Sequence, residues 1–330
     1  MAIAVTGSIA HDYLMRFDGR FSELIVEDQL RRLSLSFLVD DLEIRRGGVA
    51  ANIAFGMAQL GLHPVLVGAV GDDFNADYRS WLERHGVDTA SVRVSEVRHT
   101  ARFHCTTDLD NCQIASFYTG AMEEAREIEL HPVADRVGDI ELVVVSPNDP
   151  VAMLRHTEEA RQAAMAFVAD PSQQLARMSG TDVRELVDGA AILVCNDYER
   201  TILESKTGWD GDEVLDRVGV RVTTYGADGC AIEREGDPAI EVAAFPEQHI
   251  VDPTGVGDGF RAGLLAGRAV GLSLERSAQV GSAVATLVLE SIGTQEYRVQ
   301  PETFLKRLAE EYGDDAAAEI AAGLPALSED

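Results

Sequence analysis

Short, almost unbroken apolar runs punctuate this chain: "IAVTGSI", "PVLVGAV", "ELVVVS", "AFVAD", "AILVCN" and "VRVTTYG". A strand that is apolar at nearly every position must be covered on both faces. A parallel sheet packed between two layers of helices provides that cover. Between the runs, apolar residues recur at helical spacing over 49–60, 76–84, 152–164, 259–270 and 275–290. The alternation predicts a doubly wound α/β fold, with a mostly parallel central sheet and helices on both faces. A length of 330 residues suits one such domain with a small appendage.

Two segments interrupt the pattern. In the first, 14–46, "LSLSFLV" and "LEIRR" alternate without a sheet-covering helix; the second, 98–118, reads "ARFHCTTD", then the turn-forming "DLDN", then "CQIASFY". If Asp108 pairs with Cys112 across the turn, Phe103 falls opposite Phe117, and the period of two puts both rings on one face. The expected organisation is a large body of 1–13, 47–97 and 119–330, with 14–46 and 98–118 forming a small β-sheet lid. "LSLSFLV" is apolar on both sets of alternating positions. A thin layer cannot bury both faces on its own chain, so a homodimer joined through the lid is expected.

Charge narrows the list of partners. The chain carries 56 acidic and 28 basic residues, for a net charge of −28 and a pI near 4.5. Such a surface repels nucleic acid and anionic membranes, so neither is expected as a partner. The N-terminal "MAIAVTGSIA" lacks a basic segment followed by a long apolar run, and no stretch is apolar enough to span a bilayer. Cys105, Cys112, Cys195 and Cys230 show neither CxxC nor zinc spacing. The expectation is a cytoplasmic protein with reduced thiols.

The chemistry concentrates in "DPTGVGDGF", 252–260, which runs into a helical pattern. The first amides of a helix lack intrahelical partners, and the dipole adds positive charge there. Glycines let those amides converge on an anion. A carboxylate is repelled by a bound phosphate, so Asp258 suits another task, accepting the proton of an alcohol beside that phosphate. Earlier, "RRGGVAANIAFGMAQLG" places Gly47 and Gly48 at a helix start with Asn52 one turn in. No GxxxxGK[ST] is present, and "GVGDGF" lacks the third glycine of the dinucleotide fingerprint and comes too late in the chain. That argues against a nicotinamide dehydrogenase.

"GGVAANIAFGMAQLG" and "DPTGVGDGF" resemble the two signatures of the ribokinase-like (PfkB-type) carbohydrate kinases. "NDYE", 196–199, and "TTYGADG", 223–229, match that family's NxxE motif and nucleotide loop. The resemblance covers nearly the whole chain. More narrowly, "VTGSIAHDYLMRF", "LSFLVDDL", "ADPSQQLARMSG" and "VLESIGTQE" are similar to stretches of the bacterial adenosine kinases of the mycobacterial type.

The resemblance implies a ribokinase-like fold and an ATP-dependent phosphotransferase acting on an alcohol, here the 5′-hydroxyl of adenosine, a purine-salvage step. It implies Asp258 as base, with Gly255, Val256 and Gly257 forming the anion hole. Asp12, Gly48 and Asn52 hold the ribose, with Ser8 and Ser36 nearby. Asn196, Thr224, Gly226 and Gly229 line the ATP site, and Glu199 organises Mg2+ through water. Asp252, Thr254 and Gly293 form a loop for K+ as an activator. Pro253 and Val256 depart from the usual DTTGAGD but keep the backbone amides, and Val49 leaves no cation after the double glycine for a sugar phosphate.

For the base itself, Phe103 and Phe117 can form a flat slot, worth about 1–3 kcal/mol per stacked base. Gln173 and Gln174 can meet the base's polar edge. These residues favour adenosine over a bare sugar such as ribose or fructose, which is the alternative. A sensor without catalysis is the other alternative, and the intact loop around Asp258 argues against it.

Overall fold

The apolar runs do become parallel strands. The computed structural model describes residues 2–24 and 35–328. Its strands are β1 (Ala2–Thr6), β2 (Ala10–Arg16), β3 (Asp41–Gly47), β4 (Val65–Gly71), β5 (Val92–Ser95), β6 (Ala101–Thr107) and β7 (Gln113–Tyr118). They continue with β8 (Ile140–Val145), β9 (Ala166–Ala169), β10 (Ile192–Asn196), β11 (Arg221–Thr224), β12 (Cys230–Glu233) and β13 (Ile240–Val242).

One sheet has the order β13-β12-β11-β10-β9-β8-β1-β4-β5. It is parallel from β11 to β5 and antiparallel only at β12 and β13. Every residue of β4 is buried, as its uninterrupted "VLVGAVG" requires. The sheet divides the core in two. Ile53, Phe55, Leu264 and Val284 pack on one face, and Met153, Phe167, Leu186 and Leu203 on the other. This is the expected α/β architecture, with helices on both sides of a mostly parallel sheet.

The winding reverses at β1, which lies between β4 and β8. Crevices at the carboxyl ends of strands beside such a reversal are where open α/β sheets hold ligands. Here Ser8, just past β1, donates its amide to the carbonyl of Pro147, just past β8, at 2.8 Å.

The second sheet is small, ordered β3-β2-β6-β7, and it forms the lid. Its register pairs Phe103 with Phe117, and the Asp108 amide bonds the Cys112 carbonyl at 3.0 Å, so the hairpin closes as expected. Asp12 and Arg45 share the same cross-strand row as the two rings.

Two expectations change. Strand β2 starts at Ala10, inside the 1–13 segment expected in the large body. "LSLSFLV" spans residues 33–39, of which the first two lie outside the described residues, and 35–39 form no strand. Phe37 instead packs against Phe17 and Phe21, with ring centroids 4.8 and 5.4 Å away. An aromatic cluster at the edge of the lid therefore takes up the apolar side chain that the period-two pattern assigned to a strand.

Candidate active site

A cleft of about 450 Å³ opens between the two sheets, lined among others by Ser8, Asp12, Gly48, Asn52, Phe103, Phe117, Gln173, Gln174, Thr254, Gly255 and Asp258. Residues from five separate stretches of sequence thus meet in one place, beside the reversal at β1.

The helix Val256–Ala269 begins three residues before the expected 259, which puts Asp258 in its first turn. Gly255 precedes the helix at φ 79°, a conformation that costs a non-glycine residue roughly 1–2 kcal/mol. No side chain caps this helix, and the first well-formed helical bond runs from the Gly259 amide to the Gly255 carbonyl at 2.9 Å. The amides of Gly257 and Asp258 keep no partner among the described residues, so they remain available to an anion.

The carboxylate of Asp258 is held from the facing helix, Val49–Gln59, where Asn52 Nδ2 donates to Asp258 Oδ2 at 2.8 Å. Asn52 cannot flip. Its Oδ1 accepts from Gln295 Nε2 at 2.9 Å and lies 2.9 Å from Thr294 Oγ1. Gln295 is in turn fixed by Tyr78, whose hydroxyl is 2.6 Å away. Burial is the main reason the Asp258 carboxyl is pushed up to about 7; the Asn52 bond and Arg261 pull the other way.

Beneath this turn lies a buried ion pair. Arg261 Nη2 donates to Asp170 Oδ1 at 2.6 Å, and Nη1 donates to the Gly257 carbonyl at 3.1 Å. Arg261 Nη2 also approaches Glu199 Oε2 at 3.9 Å. Desolvation pushes Asp170 up to about 6 despite the guanidinium. Sequence reasoning missed Asp170, Arg261, Thr294 and Gln295. A charged residue amid the apolar stretch "FRAGLLAG", at Arg261, was the available signal for one of them.

Asp12, expected at the ribose, stands half-buried on β2, and its carboxyl is pushed up to about 6 by desolvation first and Asp252 second. A Cβ at Gly47 would come within 2.5 Å of Asp12 Oδ2, so the first glycine of the pair makes room for that carboxylate. Ser8 lines the cleft, but its Oγ already accepts from the Val49 amide at 3.0 Å, which ties the helix start to β1. Ser36 is exposed and does not line the cleft, contrary to its expected place there.

Asn196, Glu199, Thr224, Gly226 and Gly229 lie outside the cleft, at the carboxyl ends of β10 and β11, where Asn196 pairs with Thr224. Asn196 and Glu199 form a reciprocal capping box: Asn196 Oδ1 accepts from the Glu199 amide at 2.7 Å, and Glu199 Oε2 accepts from the Asn196 amide at 2.9 Å. Glu199 is mostly buried beside Arg261.

The expected K+ loop is drawn together by Asp252, which accepts from the amides of Thr254 (2.9 Å) and Gly293 (3.3 Å). Val256 sits behind the turn, half-buried against the core. Arg45 donates to the adjoining Ile292 carbonyl at 3.3 Å, so one carbonyl beside Gly293 already faces a cation from the lid. Mg2+ needs only one or two protein carboxylates when phosphates and water complete its shell, and Glu199 is of the type that could hold that water.

Comparisons with known proteins place the chain in a family. The model of the pfkB family carbohydrate kinases matches residues 19–300. A nucleoside kinase from Methanothermobacter thermautotrophicus is 32% identical over 313 residues, covering 94% of this chain and 96% of its own. The structure of Burkholderia thailandensis nucleoside kinase in complex with inosine superposes with a TM-score of 0.82 at 33% identity, covering 95% of this chain and 98% of that one. The nucleoside kinase of Methanocaldococcus jannaschii, an archaeal member of the ribokinase family, gives 0.83 at 27% identity, covering 94% and 98%. The fold is therefore ribokinase-like. These relatives are nucleoside kinases, a broader class than the adenosine kinases of the mycobacterial type.

Proposed function

We propose that this chain, which belongs to the pfkB family of carbohydrate kinases, transfers the γ-phosphoryl group of ATP to the 5′-hydroxyl of nucleosides, with adenosine among its acceptors. The observation that carries this reading is the meeting, in one cleft, of a hydrogen-bonded Asn52–Asp258 pair and two lid rings, Phe103 and Phe117.

The chemistry follows from the arrangement. The carboxylate of Asp12 accepts from the ribose hydroxyls, a charge-assisted bond stronger than a neutral one. The base lies against Phe103 and Phe117, with Gln173 and Gln174 at its edge. Asp258, oriented by Asn52, takes the 5′-hydroxyl proton as the oxygen attacks in line. The amides of 255–258 receive the charge on the transferred phosphoryl, and the helix dipole acts in the same direction. Asn196, Thr224, Gly226 and Gly229 bound the ATP side. Magnesium, when bound, neutralises phosphate oxygens, and Glu199 would hold its water shell. K+ would act by shaping the loop of Asp252, Thr254 and Gly293. The lid of 14–46 and 98–118, now with all of β2, closes over the substrate and excludes water. Its outer face exposes Leu42, Ile44, Ile114 and Tyr118, and a second copy of the chain would cover it as a homodimer. Among the described residues no helix is long and apolar enough to cross a membrane.

The test is ADP release against a panel of nucleosides and free sugars. Turnover of nucleosides to 5′-monophosphates supports the reading. Turnover of ribose or fructose alone would replace it with the bare-sugar alternative.

A further inference from the structure

At the base end of the cleft stand two polar groups that phosphoryl transfer does not use. Ser172–Ala176 forms a 3₁₀ turn ending at Arg177, whose amide donates to the Gln174 carbonyl at 2.9 Å. Side chains three residues apart eclipse one another in such a turn, so Gln174 and Arg177 stand side by side. Both line the cleft with Phe103 and Phe117.

The two groups have opposite and fixed characters. Gln174 is buried, and its Nε2 donates to the Asn148 carbonyl at 2.7 Å. That bond sets the amide, leaving Oε1 as an acceptor that is buried and without a partner. Among the described residues Arg177 is the only basic one lining the cleft; it is exposed, and its guanidinium has no hydrogen bond or ion pair there. A guanidinium has five donors and no acceptor.

A ligand that satisfies both must offer an N–H to Gln174 and an electron-rich acceptor to Arg177. A 6-oxopurine does so with N1–H and the adjoining O6, and an arginine fork can also span O6 and N7, as it does on guanine in DNA. Adenine carries an amino group at that position. It can serve Gln174, but it leaves Arg177 only a ring nitrogen. An arginine bond to either acceptor is charge-assisted, but only the 6-oxopurine lets the fork make two, to O6 and N7.

We infer that Arg177, set beside the pinned amide of Gln174, is the residue that reads position 6 of the base and makes 6-oxopurine nucleosides, inosine and guanosine, better substrates than adenosine. This rests on the nucleoside kinase reading and adds to it the preferred class of acceptor.

The experiment measures kcat/KM for inosine, guanosine and adenosine with the full-length wild type, Arg177→Met and Arg177→Lys. The wild type should favour inosine and guanosine. Arg177→Met should lower kcat/KM for both by roughly ten- to hundredfold, the range for a bidentate base contact, while adenosine loses far less. Arg177→Lys should restore part of the loss, because it keeps the charge and loses the fork. An unchanged ratio of inosine to adenosine in Arg177→Met, with nucleosides still phosphorylated, would overturn the role of Arg177 alone. A wild type that phosphorylates no nucleoside would overturn the nucleoside reading itself.

Discussion

At one end of the cleft every polar atom of the Asn52 side chain is engaged, and a buried guanidinium backs the turn that carries Asp258. At the other end Phe117 is 48% exposed, and Arg177 is exposed with no partner among the described residues. The first end rests on two helices packed against the large sheet, and the second on a four-stranded lid and a single 3₁₀ turn. The difference assigns the work. Charge that develops during transfer needs groups already in place. Recognition of a base uses groups that the ligand itself completes.

Substitutions at the transfer end should therefore act on turnover, and those at the base end on affinity and choice of substrate. The largest effect belongs to Asp258. Asp258→Asn should lower kcat by ~10²–10⁴-fold while nucleoside binding persists, as measured by steady-state kinetics and calorimetry. Turnover close to wild type would remove Asp258 from the mechanism.

Next comes pH. Only the ionised carboxylate accepts a proton, and Asp258 is pushed up to about 7 by burial, so kcat should rise through neutral pH and level off above it. Arg261 opposes the rise, while Asp170 and Asp12 add to it. Arg261→Gln removes the positive charge, so the profile should move to higher pH. Each unit of that shift costs roughly tenfold in ionised base below the new midpoint. A folded Arg261→Gln enzyme with an unmoved profile would show that the arginine only packs the turn.

At the base end, Phe103→Ala or Phe117→Ala should raise KM for the nucleoside by roughly tenfold, through lost stacking, with kcat little changed. A fall in kcat alone would break the division of labour between the two ends. The smallest effect is expected at Ser36. It is exposed and away from the cleft, so Ser36→Ala should leave KM within about twofold.

The legible parts of this molecule were those written in local pattern. Unbroken apolar runs marked the parallel strands, and the "DLDN" turn was enough to set Phe103 opposite Phe117. What stayed hidden depends on contacts between distant residues. Thr294 and Gln295 orient Asn52 from more than 240 positions away. The partner of Arg261 is Asp170, at the end of β9. The short strands β5, β12 and β13, at the two margins of the large sheet, carry too few residues for a period to show. "LSLSFLV" misled because the period of two was real, yet Phe37 found Phe17 and Phe21 rather than a neighbouring strand.

The most direct test of the account compares adenosine, inosine, 5′-deoxyadenosine and ribose as acceptors for purified enzyme with ATP and Mg2+. ADP formation is followed together with the identity of the phosphorylated product. The account predicts 5′-monophosphates from both nucleosides, no ADP from the 5′-deoxy compound beyond background, and a kcat/KM for ribose lower by roughly tenfold or more, the stacking contribution. Ribose turned over as efficiently as the nucleosides, or phosphate placed on a hydroxyl other than the 5′, would contradict it.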